Sequence, residues 1–200
     1  MVSARREEIL RAALEVFAER GYRGASIDAV AERAGLTRQG VLHYYPSRKR
    51  LLFALLHLRD DLNRQHMHSD WDDPDMPARL AEALAFDQGM PSLAQVHSVV
   101  MAEAATGQEP ARGFARERYR ELIETITEDL AGRFGERLPS GLTPSTAATA
   151  LMALFEGIQQ QWVVDRDDER YQDTVRDALA VLLLGTQPAP PPSPMPAAKG

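Results

Sequence analysis

The segment that most constrains this chain is residues 25–52, ASIDAVAERAGLTRQGVLHYYPSRKRLL, where helix caps and helix breakers alternate with short runs. Ser26 and Thr37 are residue types that accept hydrogen bonds from the first amides of a helix. Gly35 ends the run that follows Ser26. Pro46 ends the next run, because proline disfavours a helical conformation in the residue before it. The segment predicts two short helices joined by a tight turn, with a third helix beyond the proline.

The second short helix carries polar side chains on the face that would point outward, at Arg38, Gln39, His43 and Tyr44. A helix displayed in this way by the short helix before it is the arrangement that proteins insert into the major groove of DNA. Arginine fits the edge of guanine and glutamine that of adenine. For His43, a base contact and a solvent-facing or structural role are equally open. We therefore predict binding to double-stranded DNA.

The charge distribution favours the same interpretation, although the net charge of the chain is −6. Residues 1–50 contain ten Arg or Lys and six Asp or Glu, a net of +4. The other 150 residues contain 13 and 23, a net of −10. A basic head on an acidic body attracts phosphates to one end and repels them from the other.

The composition excludes several functional classes. The chain has no cysteine, which rules out disulfides, thiolate metal sites and a cysteine nucleophile. No run of about 18 apolar residues occurs, so no membrane partner is expected. The charged N-terminus lacks a signal-peptide core, which makes the cytoplasm the expected location. No sequence motif for a nucleophile elbow, a phosphate loop, a zinc protease or a dinucleotide site is present, so we expect no enzyme, no catalytic residue and no cofactor.

Apolar residues at helical spacing recur along the rest of the chain, and no convincing β-pattern occurs. We predict an all-α protein of about nine helices, with an N-terminal unit at 1–46, a helical unit at 47–185 and a disordered proline-rich tail at 186–200. The acidic segment 69–77 is predicted to be a loop. The predicted helices run approximately over residues 5–20, 26–34, 37–45, 47–66, 78–88, 92–106, 110–134, 144–164 and 169–184.

An acidic cluster near the end of the fourth helix raises the question of a metal site; it comprises His66, His68, Asp70, Asp72 and Asp73. The two histidines are two residues apart and do not share a helix face. Carboxylate-rich loops are usually solvated, so we expect no metal here.

The last two helices are apolar on more than one face, which predicts burial on more than one side. One face would serve the core of the subunit and the other a partner subunit, forming a four-helix, two-fold interface. The alternative is a single well-buried core helix. The residues assigned to the interface are Ala150, Ala153, Gly157, Val175, Leu179 and Leu182.

Residues 5–56 resemble the DNA-binding domain of the tetracycline-repressor (TetR) family, through IL-x-AA-x-x-VFAERGY, IDAVAERAGLTRQGV and HYYPSRKRLL. The later segments MAEAATG, FARERYREL and ALMALFEGIQQQWVVDRDD are similar to a TetR-type regulatory domain. The resemblance implies a homodimer that binds pseudo-palindromic operator DNA, with residues 47–185 as the regulatory and dimerisation domain. It assigns base contacts to Arg38, Gln39, Leu42 and His43, and phosphate contacts to Ser26, Thr37, Tyr44 and Arg48.

Two positions in the reading helix are unusual. The family usually has a tyrosine where this chain has Leu42, so that contact becomes apolar, to a thymine methyl, or is lost. Gly40 costs about 1 kcal/mol relative to alanine in a helix, but allows a close approach of the backbone to DNA.

The resemblance also implies an effector pocket among the middle helices, for an unknown small molecule that releases a repressor from its operator. The alternatives are a DNA-binding regulator or architectural protein without an effector, and an enzyme in which the helix-turn-helix is incidental. For each pocket candidate taken singly, an ordinary core role is the competing interpretation. The candidates are Trp71, Phe86, Met90, His97, Met101, Phe114, Tyr119, Ile123, Phe155, Gln159 and Trp162.

Overall fold

The computed structural model describes residues 4–70, 76–88, 91–167 and 170–186, and every regular element within these ranges is helical. The predicted all-α fold is confirmed. Across this part of the chain, no helix is both long and apolar enough to cross a membrane. The elements are α1 (Ala4–Gly24), α2 (Ile27–Arg33), α3 (Arg38–Tyr44), α4 (Arg48–Asp70), α5 (Met76–Gln88), α6 (Pro91–Ala105), α7 (Ala111–Phe134), α8 (Pro144–Val164), α9 (Arg170–Leu179) and a π-helical turn (Ala180–Leu184).

One hydrophobic core joins the three N-terminal helices to α4 and α6. Phe17 of α1 and Val41 of α3 are almost fully buried in it, as are Leu55 of α4 and Val96 of α6. The N-terminal helices therefore pack on the first half of α4 and on α6. This shared core couples the position of α3 to these two helices.

A second core lies among the remaining helices. Leu80 of α5, Leu130 of α7, Leu151 of α8 and Leu179 of α9 are all almost fully buried there. Among the described residues, α7 and α8 form the most extensive helix pair. Helix α4 packs on α5 of this bundle, and its Asp60 pairs with Arg118 of α7.

Helix α4 links the two cores. Ser47 caps it, with its Oγ accepting a hydrogen bond from the Arg50 amide at 3.2 Å. The helix continues to Asp70, four residues beyond the predicted end at His66, and α5 begins at Met76. The predicted loop at 69–77 is therefore too long at both ends. Residues 71–75 lie outside the described part of the chain.

Two other helices differ from the prediction. Helix α1 extends to Gly24 through a kink at Gly21, where φ is 65° and the helix was predicted to stop. The last helix changes to π-helical geometry at Ala180 and ends at Gly185. The predicted disordered tail, 186–200, lies outside the described residues apart from Thr186.

Candidate functional sites

The turn between α2 and α3 sets the angle at which α3 is displayed. Gly35 has a φ of 64°, a left-handed conformation that side chains rarely adopt. The next amide, of Leu36, donates to the Ala31 carbonyl at 2.8 Å. The Leu36 side chain packs against the first core. A backbone hydrogen bond and the contact of the Leu36 side chain with the first core thus stabilise the turn.

Both short helices begin with the predicted caps. Ser26 Oγ accepts from the Ala29 amide at 3.2 Å, and Thr37 Oγ1 accepts from the Gly40 amide at 3.0 Å. In each case the hydroxyl oxygen is the acceptor, which leaves the hydroxyl hydrogen available for an external acceptor. Capping and a phosphate contact are therefore chemically compatible.

The outward face of α3 presents Arg38, Gln39 and His43, all of which are exposed. Arg38 is not fully extended into solvent, since its Nη1 lies 2.7 Å from Asp28 Oδ2 on α2. The pair is more than half exposed, so it contributes little to stability and is easily exchanged for another partner. The outward face thus combines hydrogen-bonding side chains with an arginine that can exchange its partner Asp28 for another group.

The inner face of α3 anchors the helix. Val41 is fully buried, and Leu42 and Tyr44 are partly buried against the first core. Tyr45, at the end of the helix, is 7% exposed, and its hydroxyl donates to the Arg6 carbonyl at 3.4 Å. Leu42 and Tyr44 therefore offer only part of their surface to any ligand of α3.

Gly40 is not crowded by its neighbours, whereas Arg48 contacts the first core. A Cβ built at Gly40 would lie 3.4 Å from Thr37 Oγ1 and 3.5 Å from Leu36 Cβ, so the local packing leaves room for alanine. Arg48 is half-buried, with its guanidinium 6.0 Å from the centre of the Phe17 ring. A stacked arginine of this kind is held in place by the first core.

A partly open cavity of about 90 Å³ lies between α4, α5, α7 and α8. Apolar side chains from three of these helices form much of its described wall, and charged and uncharged polar groups of α4, α7 and α8 form the rest. Its described lining consists of Arg59, Asp60, Asn63, Arg64, Leu80, Arg118, Leu122, Thr125, Ile126, Asp129, Met152, Phe155, Glu156 and Gln159.

A buried polar network borders this cavity. Arg118 donates to both carboxylate oxygens of Asp60, at 2.7 and 2.8 Å, and to Glu156 Oε1 at 3.0 Å. The Tyr119 hydroxyl donates to the other oxygen of Glu156. His97 Nε2 lies 3.2 Å from Glu156 Oε1, although it is not aligned for a hydrogen bond. The network thus joins α4, α6, α7 and α8.

The network shifts the titration of its members. Burial lowers the pKa of His97, which favours the neutral imidazole. Burial raises the pKa of Glu156, but the interactions with His97, Tyr119 and Arg118 outweigh it and bring that pKa down to about 2. Burial together with the Glu156 carboxylate raises the pKa of Tyr119. Near neutral pH the network therefore contains an ionised Glu156 carboxylate and a neutral His97.

The structure distributes the predicted pocket residues over several places. Phe155 and Gln159 line the cavity, His97 and Tyr119 belong to the polar network, and Ile123 packs on the second core. Three other candidates lie outside the described cavity wall. The Met101 sulfur is 3.5 Å from the Tyr119 hydroxyl, and Phe114 stacks on Phe53 in the first core. The Trp162 ring is 5.5 Å from the Arg166 guanidinium. Trp71, Met90 and the side chain of Phe86 lie outside the described residues.

The sequence analysis missed Asp60, Arg118 and Glu156. A signal was present, because Asp60 continues the apolar row of Leu52 and Leu56 at four-residue spacing. A charged residue in such a row is buried, and a buried charge needs a partner. The described residues contain no group of three or more His, Asp or Glu side chains placed to hold a metal ion.

The residues predicted for the subunit interface separate into two groups. Val175 and Leu179 are buried in the second core of the subunit itself, at 2% and 0% exposure, so their side chains are not available to a partner. Ala153 and Gly157 are exposed on α8, with Ala150 and Leu182 partly exposed. Val164 continues the exposed face of α8 and is 79% exposed.

Two family models match the chain. Residues 9–55 match bacterial regulatory proteins of the tetR family, and residues 76–184, more than half of the chain, match the C-terminal domain of BetI-type transcriptional repressors. The HTH-type transcriptional regulator RutR of Escherichia coli (strain K12) is 40% identical over 55 residues, which are 28% of this chain and 26% of RutR. The matched segment thus spans about a quarter of that relative.

Solved structures share the fold over most of the chain. A TetR-family transcriptional regulator from Rhodococcus sp. has a TM-score of 0.71 at 24% identity, with 90% of this chain and 98% of that chain covered. The multidrug binding protein EbrR complexed with ethidium has a TM-score of 0.66 at 23% identity, with 92% and 100% covered. At these identities the likeness shows the fold alone.

Proposed function

The chain belongs to the TetR family of DNA-binding bacterial transcriptional regulators, and on that premise we propose that it is a homodimeric repressor released from its operator by a small-molecule effector. The observation that carries the proposal is the course of α4. This helix starts at Arg48 beside α3 and lines the partly open cavity at Asp60. A molecule in the cavity would therefore contact the element on which the DNA-binding helices pack.

In the proposed complex, α3 enters the major groove and its exposed face reads bases. Arg38, Gln39 and His43 are the base-reading candidates, and Arg38 would leave Asp28 to bind a guanine. Because the fold leaves room for a side chain at Gly40, we infer that glycine there serves close approach to DNA. Ser26, Thr37, Tyr44 and Arg48 are the phosphate candidates, and Leu42 contributes the part of its side chain that remains accessible.

The proposed dimer uses the exposed face of α8. Ala153 and Gly157 form a row without large side chains, which lets a partner helix approach closely, and Val164 gains from burial. Leu182 and Ala150 flank this face. Two-fold pairing through it would place two α3 helices on operator half-sites about 34–36 Å apart.

An effector can act only through different affinities for the DNA-bound and released states. EbrR, which has the same fold, has been crystallised with ethidium, and this supports a small-molecule site in such a bundle. Binding beside Asp60 would shift α4 and change the separation of the two reading helices. Affinity would then fall steeply, because the second half-site contact is effectively intramolecular.

Selection of bound sequences from a random DNA pool tests the central claim. We expect a pseudo-palindromic consensus with half-sites one helical turn apart. A compound library is then screened for release of the protein from that sequence. Enrichment of a single, non-repeated half-site would contradict the dimeric arrangement, and the absence of any releasing compound would favour a regulator without an effector.

A further inference from the structure

The chemistry of the cavity wall narrows the kind of molecule that it accepts. Much of the described wall is hydrocarbon, from Leu80 on α5, Leu122 and Ile126 on α7, and Met152 and Phe155 on α8. Apolar surface of this kind favours a ligand whose body is apolar, because both surfaces leave water on binding.

The charges around the cavity are balanced. Its described lining contains three cationic side chains, Arg59, Arg64 and Arg118, and three anionic ones, Asp60, Asp129 and Glu156. The described part of the wall therefore supplies no excess charge to compensate a charged ligand. An ion that moves from water into such a site loses its hydration free energy without a compensating charge. An uncharged molecule has a much smaller hydration free energy to lose.

Three of these charges are already satisfied by contacts within the protein. Arg118 uses three donor atoms on Asp60 and Glu156, and Glu156 accepts from Arg118 and Tyr119. A charged ligand that paired with Arg118 or Glu156 would displace one of these contacts, leaving a buried group without its partner.

Gln159 contributes to the wall a polar atom that is not satisfied in this way. The side-chain nitrogen Nε2 of Gln159 is buried and has no hydrogen-bond partner among the described residues. An amide nitrogen is a donor, and burying it unpaired is costly. A rotation of the Gln159 side chain that brings this donor to a hydrogen-bond acceptor in the cavity would relieve this cost.

We propose that the cavity binds an uncharged, largely apolar molecule that presents one hydrogen-bond acceptor, such as a carbonyl oxygen, to Gln159 Nε2. Only the role of this molecule as an effector rests on the proposed function; its binding to the cavity does not. Binding itself is measurable without DNA.

Four single-ring probes of nearly the same shape test the proposal by saturation-transfer NMR titration of the full chain: acetophenone, α-methylstyrene, benzoate and benzamidinium. Acetophenone carries a carbonyl oxygen where α-methylstyrene has a methylene group. We expect acetophenone to bind about threefold to tenfold more tightly than α-methylstyrene, the range that one neutral hydrogen bond provides. Both should bind more tightly than the two ions.

Two glutamine variants locate the acceptor contact. Gln159→Leu removes the donor at similar size and should reduce acetophenone affinity to the level of α-methylstyrene. Gln160→Leu is the matched control, because Gln160 is the neighbouring residue of α8 and is exposed; its probe affinities should equal those of the unmodified chain. Circular dichroism and thermal melting of both variants show that the fold is retained.

Three results would overturn the assignment: tighter binding of benzoate or benzamidinium, an acetophenone preference that survives Gln159→Leu, or no binding of any probe. Operator release is measured separately with the selected DNA. Acetophenone binding without release would contradict the effector role but leave the chemistry of the site standing. Release by the charged probes alone would contradict the site chemistry and support the effector role.

Discussion

Asp60 on α4 and Arg118 on α7 form a doubly hydrogen-bonded ion pair inside the protein, with Nε–Oδ2 and Nη2–Oδ1 distances of 2.7 and 2.8 Å. Their side chains are 8% and 6% exposed. Removing one partner of such a pair leaves a buried charge uncompensated. The pair is thus a buried polar tie between α4 and α7 of the second core.

Asp60→Ala should lower the free energy of unfolding by about 3–5 kcal/mol, because Arg118 would lose both oxygens of its main partner. Urea denaturation followed by circular dichroism measures the loss. Asp61→Ala is the matched control: Asp61 is the next residue of α4, its side chain is 59% exposed, and it pairs with Arg64 at 3.5 Å. That variant should stay within about 0.5 kcal/mol of the parent. Equal losses in the two variants would contradict the assigned role of the buried pair.

Stability should decrease as the pH falls below neutral. Burial lowers the pKa of His97 from its ordinary 6.5, so between the lowered value and 6.5 the unfolded chain binds more protons there than the folded protein. The stability that His97 contributes is thus present above pH 6.5 and is lost as the pH falls through that window. Urea denaturation at several pH values should show a flatter profile for His97→Gln, while His43→Gln, at an exposed site, should retain the parent slope.

A second loss should follow at lower pH. Interactions with His97, Tyr119 and Arg118 outweigh burial and hold the pKa of Glu156 at about 2, below its ordinary 4.5. A carboxylate with a lowered pKa stabilises the fold above 4.5 and loses that contribution as the pH falls toward 2. Glu156→Gln should therefore remove part of the decline between about pH 4.5 and 2, as measured by the same denaturation series. An unchanged decline would exclude Glu156 as its source.

Arg38→Ala should relax base preference at one operator position by about 1–3 kcal/mol and leave the fold intact. The physical reason is loss of a guanidinium that can exchange Asp28 for the edge of a base. Fluorescence anisotropy with the selected operator and its single-base variants measures the preference. Arg112→Ala removes an exposed arginine of α7 and should leave it unchanged. If both variants keep the parent preference, Arg38 is not a base-reading residue.

Replacing Ala153 and Gly157 together by glutamine should give monomers, because the added side chains would separate the two α8 helices. Sedimentation velocity measures the mass. Gly132→Gln is the control, since Gly132 lies on the exposed surface of α7, where an added Cβ meets nothing within 4 Å. Dimers that persist in the double variant would place the interface on another surface.

The sequence predicted most helix starts closely because the caps are local. Thr143 and Pro144 mark the start of α8, and the structure shows Thr143 Oγ1 accepting from the Thr146 amide. The end of α4 was harder to predict, because no glycine or proline follows until Pro74. The π-helical turn at Ala180 had no recognised local signal, since apolar spacing fits an α-helix equally well.

The candidate cavity was less predictable than the helices. Phe114 was an expected pocket residue, yet it stacks on Phe53 with ring centres 4.3 Å apart, because α7 crosses the first core there. Asp60 and Arg118 are 58 residues apart in the chain. Each is detectable as a charge in an apolar row, but only the packing of α4 on α7 brings them together.

The length of α4 has a mechanical consequence. Asp60 lies twelve residues after Arg48, about 18 Å along the axis at about 1.5 Å per residue. A rotation of the helix by about 5° around Asp60 would displace its Arg48 end by about 1.5 Å at that lever length. Under the proposed mechanism, an adjustment at the ion pair smaller than a bond length would be enough to misalign a reading helix, because the arm amplifies a displacement close to the pivot.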